Sequence, residues 1–219
     1  MPFIDRSDAG RRLAGALAGY RDQRPAVLAL PRGGVVVAAA VAAALEAPLD
    51  LILVRKLGVP SEPELAMGAV VDGAAPIVVR NDDVIRMTDV DEAEFTATCD
   101  AELAEIERRR RRYLGERPRI DVEGRTAIVI DDGIATGATL RAALRATRTR
   151  RPKTLVAAVP VAPTDSVEEL RGEADDIVCL EQHRFFRAIG SYYDDFRQVT
   201  DEEGIETLNR FAPAKSGPR

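Results

Sequence analysis

Ala127-Ile-Val-Ile-Asp-Asp-Gly-Ile-Ala-Thr-Gly-Ala-Thr139 sets four apolar residues in front of two carboxylates and a small-residue loop. The apolar run reads as a buried strand that delivers Asp131 and Asp132 to the loop Gly133–Thr139, after which Leu140 to Arg145 is helix-forming. A buried strand, a small turn and a helix start gather inward-pointing backbone N–H groups, a setting that suits a phosphate. Paired carboxylates at the strand end suit sugar hydroxyls or a hydrated metal ion. The combination reads as a site for a phosphorylated sugar. The plainer alternative is an ordinary strand-to-helix turn in which Thr136 or Thr139 caps the helix. Agreement of all thirteen positions favours the phosphosugar loop. Neither GxxxxGK[ST] nor a GxGxxG after an apolar run occurs, so P-loop and dinucleotide-binding readings lose their main support.

Working outward, Pro25 precedes the apolar strand Ala26–Leu30, which Pro31-Arg32-Gly33-Gly34 breaks. An Ala-rich helix from Val35 to Glu46 and a strand from Leu49 to Val54 follow. This β-loop-α-β order favours a parallel sheet with right-handed crossovers. Downstream come a helix from Ala138 to Thr149, a strand from Thr154 to Val161, a short helix capped by Ser166 and a strand from Asp176 to Leu180. Asp5 or Ser7 caps a first helix, Asp91 to Leu114 forms a long one, and Thr200 with Glu203 makes a capping box for the last. Residues 57–75 mix Gly58, Pro60, Pro63, Gly68 and Gly73 with Glu62 and Glu64. They read as a mobile loop that runs into a short hairpin of Gly68–Val71 and Ile77–Val79.

The stretch from Ala127 to Thr139 resembles the PRPP-binding signature of the type I phosphoribosyltransferases, PRPP being 5-phosphoribosyl 1-diphosphate. The resemblance covers most of residues 25–180 and is closest to stand-alone phosphoribosyltransferase-like proteins with LPRGGV and VRKLG segments. It implies an α/β fold of that type: a central, mostly parallel sheet flanked by helices, with a small hood. One domain over residues 1–212 is expected, with residues 213–219 as a frayed tail and the hood drawn from the N-terminus, residues 181–200, or both. By the same resemblance Asp131 and Asp132 face the ribose hydroxyls, with a metal contact through water or ribose. Ala135, Thr136, Gly137, Ala138 and Thr139 wrap the 5′-phosphate. Pro31, Arg32, Gly33 and Gly34 form the pyrophosphate loop, and Arg55 and Lys56 sit beside the diphosphate, the catalytic set being Asp131, Asp132, Arg55 and Lys56. Ala135 stands where the hypoxanthine-guanine enzymes carry an aspartate, which disfavours a 6-oxopurine acceptor.

The implied activity is Mg²⁺-dependent transfer of the phosphoribosyl group from PRPP to a nitrogenous base or amine, with release of pyrophosphate, in nucleotide metabolism. The rival is a PRPP-binding regulator without efficient turnover; a phosphosugar hydrolase using Asp131 as nucleophile is weaker. A homodimer is expected from the resemblance. With 31 cationic and 36 acidic residues the chain is acidic, so no DNA partner is expected. Arg108–Arg112 follows Glu105 and Glu107 at helical spacing and reads as a salt-bridged face, with an RNA or protein contact as the alternative. Two cysteines and one histidine, His183, without ligand spacing, argue against a disulfide framework or a zinc site. The first twenty residues carry interspersed charges unlike a signal peptide, and no apolar run approaches the ~18 residues of a spanning helix. No membrane partner and a cytoplasmic location are expected. The aromatics of the 181–196 tail are expected mainly to pack, one or two lining a base pocket.

Overall fold

Ala26–Ala29 (β1) and Thr126–Ile130 (β6) are buried at every position, as strands covered on both faces must be, and they pair in parallel with Leu28 opposite Val129. The computed structural model describes residues 2–73 and 76–211. In chain order its elements begin with α1 (Arg6–Ala16), β1, α2 (Gly33–Leu45), β2 (Leu49–Leu51), β3 (Val54–Val59), β4 (Glu62–Val71) and β5 (Ile77–Arg80). There follow α3 (Asp82–Met87), α4 (Glu92–Leu114), β6, α5 (Ala138–Thr149), β7 (Thr154–Pro163), α6 (Thr164–Leu170), β8 (Asp176–His183), a 3-10 turn (Ile189–Tyr192) and α7 (Asp201–Asn209).

The main sheet is parallel throughout in the order β2-β1-β6-β7-β8. The chain builds outward from β1 to β2 and later from β6 to β7 and β8, so the winding reverses between β1 and β6. Open α/β sheets hold ligands beyond the strand ends at such a reversal. The loops that leave β1 and β6 are those singled out above.

A second, antiparallel sheet of β3, β4 and β5 corrects two expectations. The strand expected over Leu49–Val54 stops at Leu51, and Val54 already belongs to this second sheet. The loop expected over 57–75 is for the most part a hairpin, β3 turning at Pro60-Ser61 into β4; Ala74 and Ala75 lie outside the described residues. Leu57, Val59, Met67 and Val70 are buried there in one core cluster, while Val71, next along the strand, joins the other. Gly58 and Gly68, which suggest a loop, are instead sites of close backbone approach. A Cβ on either would lie 2.5 Å from a carbonyl oxygen, that of Pro63 or of Val79. The expected pairing of 68–71 with 77–79 is present, extended to Arg80.

Most helix ends follow local chemistry. Asp5 accepts from Asp8 N at the start of α1, and Asp91/Glu94 and Thr200/Glu203 form capping boxes on α4 and α7. Ser166 is an exception. It lies inside α6, which Pro163 precedes without a side-chain cap, and its Oγ donates to the Ala135 carbonyl at 3.2 Å. The tail expected at 213–219 lies outside the described residues.

Beneath the two sheets runs a buried ionic knot. Arg110 of α4 bonds Asp50 of β2 at 3.1 Å and Asp72, just past β4, at 3.0 Å, while Arg119 also reaches Asp72. Asp50 further accepts from Ile120 N and Asp72 from Leu53 N. Each buried charge is thus paired and hydrogen-bonded, the condition for tolerating it there. The neighbouring Arg108, Arg109 and Arg111 pair with Glu105 or Glu107 on the outer face, as expected. Arg108 and Arg109 together hold the Glu105 carboxyl down to about 2.

Candidate active site

Gly133 through Leu140, with Asp131 and Ile189, line a cavity of about 170 Å³. Strand β6 carries Asp131 to its edge, Ile134 N–H donates to Val161 O, and Gly137 at φ +74° turns the chain into α5. That left-handed conformation is easy only for glycine. No side chain caps α5, so its first N–H groups stay open toward the cavity. The Thr136 and Thr139 hydroxyls have no partner among the described residues. Open amides, free hydroxyls and a helix N-terminus fit an anion. All five residues expected at a phosphate, Ala135 to Thr139, are brought together here.

The pyrophosphate-loop segment lies directly against the acidic pair. A Cβ on Gly33 would overlap Asp132 Oδ2, and one on Gly34 would stand 2.9 Å from Ile130 O and 3.0 Å from Asp131 Cα. Two glycines are therefore what lets the β1 loop pack on the end of β6. The Pro31–Arg32 peptide is cis.

The two carboxylates are held differently. Asp131 lines the cavity, and its Oδ1 accepts the Asp132 N–H at 2.8 Å. Burial, and then the neighbouring Asp132 charge, push the Asp131 carboxyl well above the ordinary range. Asp132 does not line the cavity. Its Oδ2 accepts from Arg6 Nε at 2.7 Å, and its carbonyl accepts from Tyr193 Oη at 2.6 Å. Burial, followed by Asp132, raises the Tyr193 hydroxyl far above its usual value, so it stays a donor.

The expected cations are placed less simply. None of Arg32, Arg55 and Lys56 lines the 170 Å³ cavity. Arg32 lies 4.0 Å from Asp201, Arg55 bonds Glu102 at 2.5 Å, and Lys56 bonds Glu64 at 3.2 Å. The Lys56 pair is weak, since Glu64 is 97% exposed, and Arg32 meets Asp201 without a hydrogen bond among the described residues. Arg6 is brought to the candidate site without a local signal in the sequence: its partner is 126 residues away, and within α1 it looks like one more charge among several. The described residues hold no group of three acidic, histidine or cysteine ligands.

In the tail, Tyr192 stacks between His183 and Phe186, with ring centroids 4.3 and 5.0 Å away. Tyr193 and Phe196 pack with Phe3, and Tyr192 and Phe186 pack against the same small cluster. Ile189 is the tail residue that reaches the cavity.

A model of the phosphoribosyl transferase domain family matches residues 5–197. Proteins provisionally named phosphoribosyl transferase in two Mycobacterium tuberculosis strains are 47% identical over 208 residues, covering 95% of this chain and 46% of theirs. The chain thus spans about half the length of the curated relatives it matches. The crystal structure of TT1426 from Thermus thermophilus superposes with a TM-score of 0.84 at 41% identity, over 97% of this chain and 100% of that one.

Proposed function

Because the chain belongs to the phosphoribosyl transferase domain family, we propose that it binds PRPP and transfers the phosphoribosyl group to a nitrogenous base or amine, releasing pyrophosphate. The observation that carries this reading is the cavity of about 170 Å³ in which Asp131 faces the open amides and free hydroxyls of residues 135–139. The 5′-phosphate sits on that loop, where each charge-assisted hydrogen bond contributes about 1.5–3 kcal/mol. Asp131 accepts from a ribose hydroxyl, and its negative field favours the cationic sugar ring that forms as the C1–O bond breaks. The bond's electrons leave with the diphosphate, the acceptor nitrogen supplies the new pair to C1, and that nitrogen then loses its proton. Backbone amides of the 31–34 loop, together with Lys56, offset charge on the diphosphate.

Mg²⁺ fits the hard oxygen donors at the site. Asp131 is the protein group that would hold it, through water or a ribose hydroxyl, with the diphosphate supplying the rest. Bound there, the ion would neutralise diphosphate charge. No described helix is long and apolar enough to cross a membrane. A homodimer, a cytoplasmic location and a role in nucleotide metabolism belong to the same proposal.

Pairing of Arg32, Arg55 and Lys56 with carboxylates favours a second reading, a PRPP-responsive regulator with little turnover. Pyrophosphate release from PRPP and Mg²⁺, measured across purine, pyrimidine and amine acceptors with an acceptor-free control, separates the two. Release driven by one acceptor establishes the transferase. Thermal protection by PRPP without release supports the regulator, and neither result removes PRPP as the ligand.

A further inference from the structure

Residues 3–4, just before α1, meet residues 192–195, which precede α7, beside the acidic pair. Phe3 N–H donates to Tyr192 O at 2.8 Å, Asp194 N–H to Phe3 O at 2.8 Å and Asp195 N–H to Ile4 O at 2.9 Å, so residues 3–4 and 192–195 form one short paired unit. Phe3 is fully buried against Tyr193, their centroids 5.3 Å apart. This unit grips Asp132 twice. Tyr193 Oη holds its backbone carbonyl, and Arg6 Nε holds its carboxylate. Arg6 is itself fixed by two further contacts. Its Nη1 donates to Arg197 O at 2.8 Å, its guanidinium lies 3.9 Å over the Phe196 ring, and Gly33 leaves it room.

The Arg6 and Asp132 side chains are only 10% and 14% exposed, so their single charge-assisted Nε–H···Oδ2 bond is nearly shielded from solvent and holds the carboxylate better than it would at a surface. Asp132 is thereby bonded away from the cavity that Asp131 lines. We infer that Arg6 is a positioning residue of the ribose site: it fixes Asp132, and through Asp132 the end of β6, in the geometry the sugar meets. The paired segments 3–4 and 192–195 carry it there. This rests on the PRPP reading above.

The test combines a binding and a spectroscopic measurement on the full chain. Arg6→Gln keeps a donor and loses the charge; it should weaken PRPP binding by at least about tenfold, the factor of one charge-assisted contact. Arg6→Lys should recover part of that loss, and Tyr193→Phe, which releases the second grip without removing a charge, should fall between. In pyrophosphate release the loss should appear mainly as a raised KM for PRPP. The Arg6 Nε–H resonance should exchange slowly in the wild type and be lost in Asp132→Asn. A wild type that binds PRPP beside an Arg6→Gln protein that is merely less stable and binds it equally well overturns the role of Arg6. A wild type that does not bind PRPP overturns the functional reading, and the positioning role with it. A fast-exchanging Arg6 resonance in a PRPP-binding wild type overturns the clamp alone. Should Arg6→Gln fail to fold, Arg6→Lys and Tyr193→Phe decide the matter by the same two readouts.

Discussion

Gly33→Ala should damage binding more than stability, because the added methyl meets the end of a side chain rather than a wall of backbone. Its Cβ would overlap Asp132 Oδ2 and stand 2.5 Å from the Asp132 Cγ and 2.7 Å from Arg6 Nε. The carboxylate can swing aside, but only by leaving Arg6. Overpacking of this kind costs about 1–3 kcal/mol, and alanine in a helix returns up to about 1 kcal/mol of propensity. With that return realised in full the net destabilisation is at most about 2 kcal/mol, or up to roughly 8 °C in Tm for a chain of this size. The ribose side loses more. A displaced Asp132 disturbs the end of β6, and forfeiting one or two charge-assisted contacts at about 1.5 kcal/mol each weakens PRPP roughly 10- to 150-fold.

Thermal unfolding with and without PRPP, and calorimetric titration at 25 °C, measure both quantities. Gly15→Ala is the control. It lies in α1 with nothing within 4 Å of its Cβ, so it should gain stability and leave PRPP binding untouched. The steric argument fails if Gly33→Ala behaves like Gly15→Ala in both assays.

Arg110→Ala should cost about 3–5 kcal/mol in denaturant unfolding, because it strands Asp50 and Asp72 as buried charges, whereas Arg111→Ala next to it should stay within about 0.5 kcal/mol. Equal effects would show that the buried knot is not as described. Since the native state raises the Asp131 carboxyl, it holds that proton to higher pH than the unfolded chain. The resulting stability is complete below the ordinary value of 3.8 and is lost as pH rises through the native value. Melting curves between pH 4 and 8 should therefore show a decline that Asp131→Asn flattens, with the variant more stable than wild type at pH 8. PRPP binding should strengthen as pH rises through the native value, where the carboxylate becomes an acceptor for the sugar. Thr139→Ala should leave the Tm within about 1 °C and weaken PRPP by about 1.5–3 kcal/mol; unchanged affinity by titration removes its hydroxyl from the phosphate site.

What could be read from the chain, and what could not, divides by the range of the interaction. Strand β6, its acidic pair, the 133–139 loop and helix 138–149 are encoded within about twenty consecutive residues, as are both capping boxes, and all appear where local chemistry puts them. The small sheet was obscured because glycine carries two messages. Gly58 and Gly68 mark close backbone contact as readily as a loop, and only the partner strand tells which. Arg110 was hidden in an arginine run, though a signal was present. Ile106, Arg110, Tyr113 and Leu114 share one helical face, and an aspartate in the apolar stretch Leu49–Val54 needs a cation somewhere. No such signal pointed to Arg6. Its role exists only once residues 3–4 have paired with 192–195 and the β6 end has come against them, contacts made between residues far apart in the chain. The loop that would receive the phosphate is thus local chemistry, whereas the grip that holds one of its two carboxylates is a product of the completed fold. Changes in the loop should accordingly alter binding at constant stability, while changes in the grip should move both together.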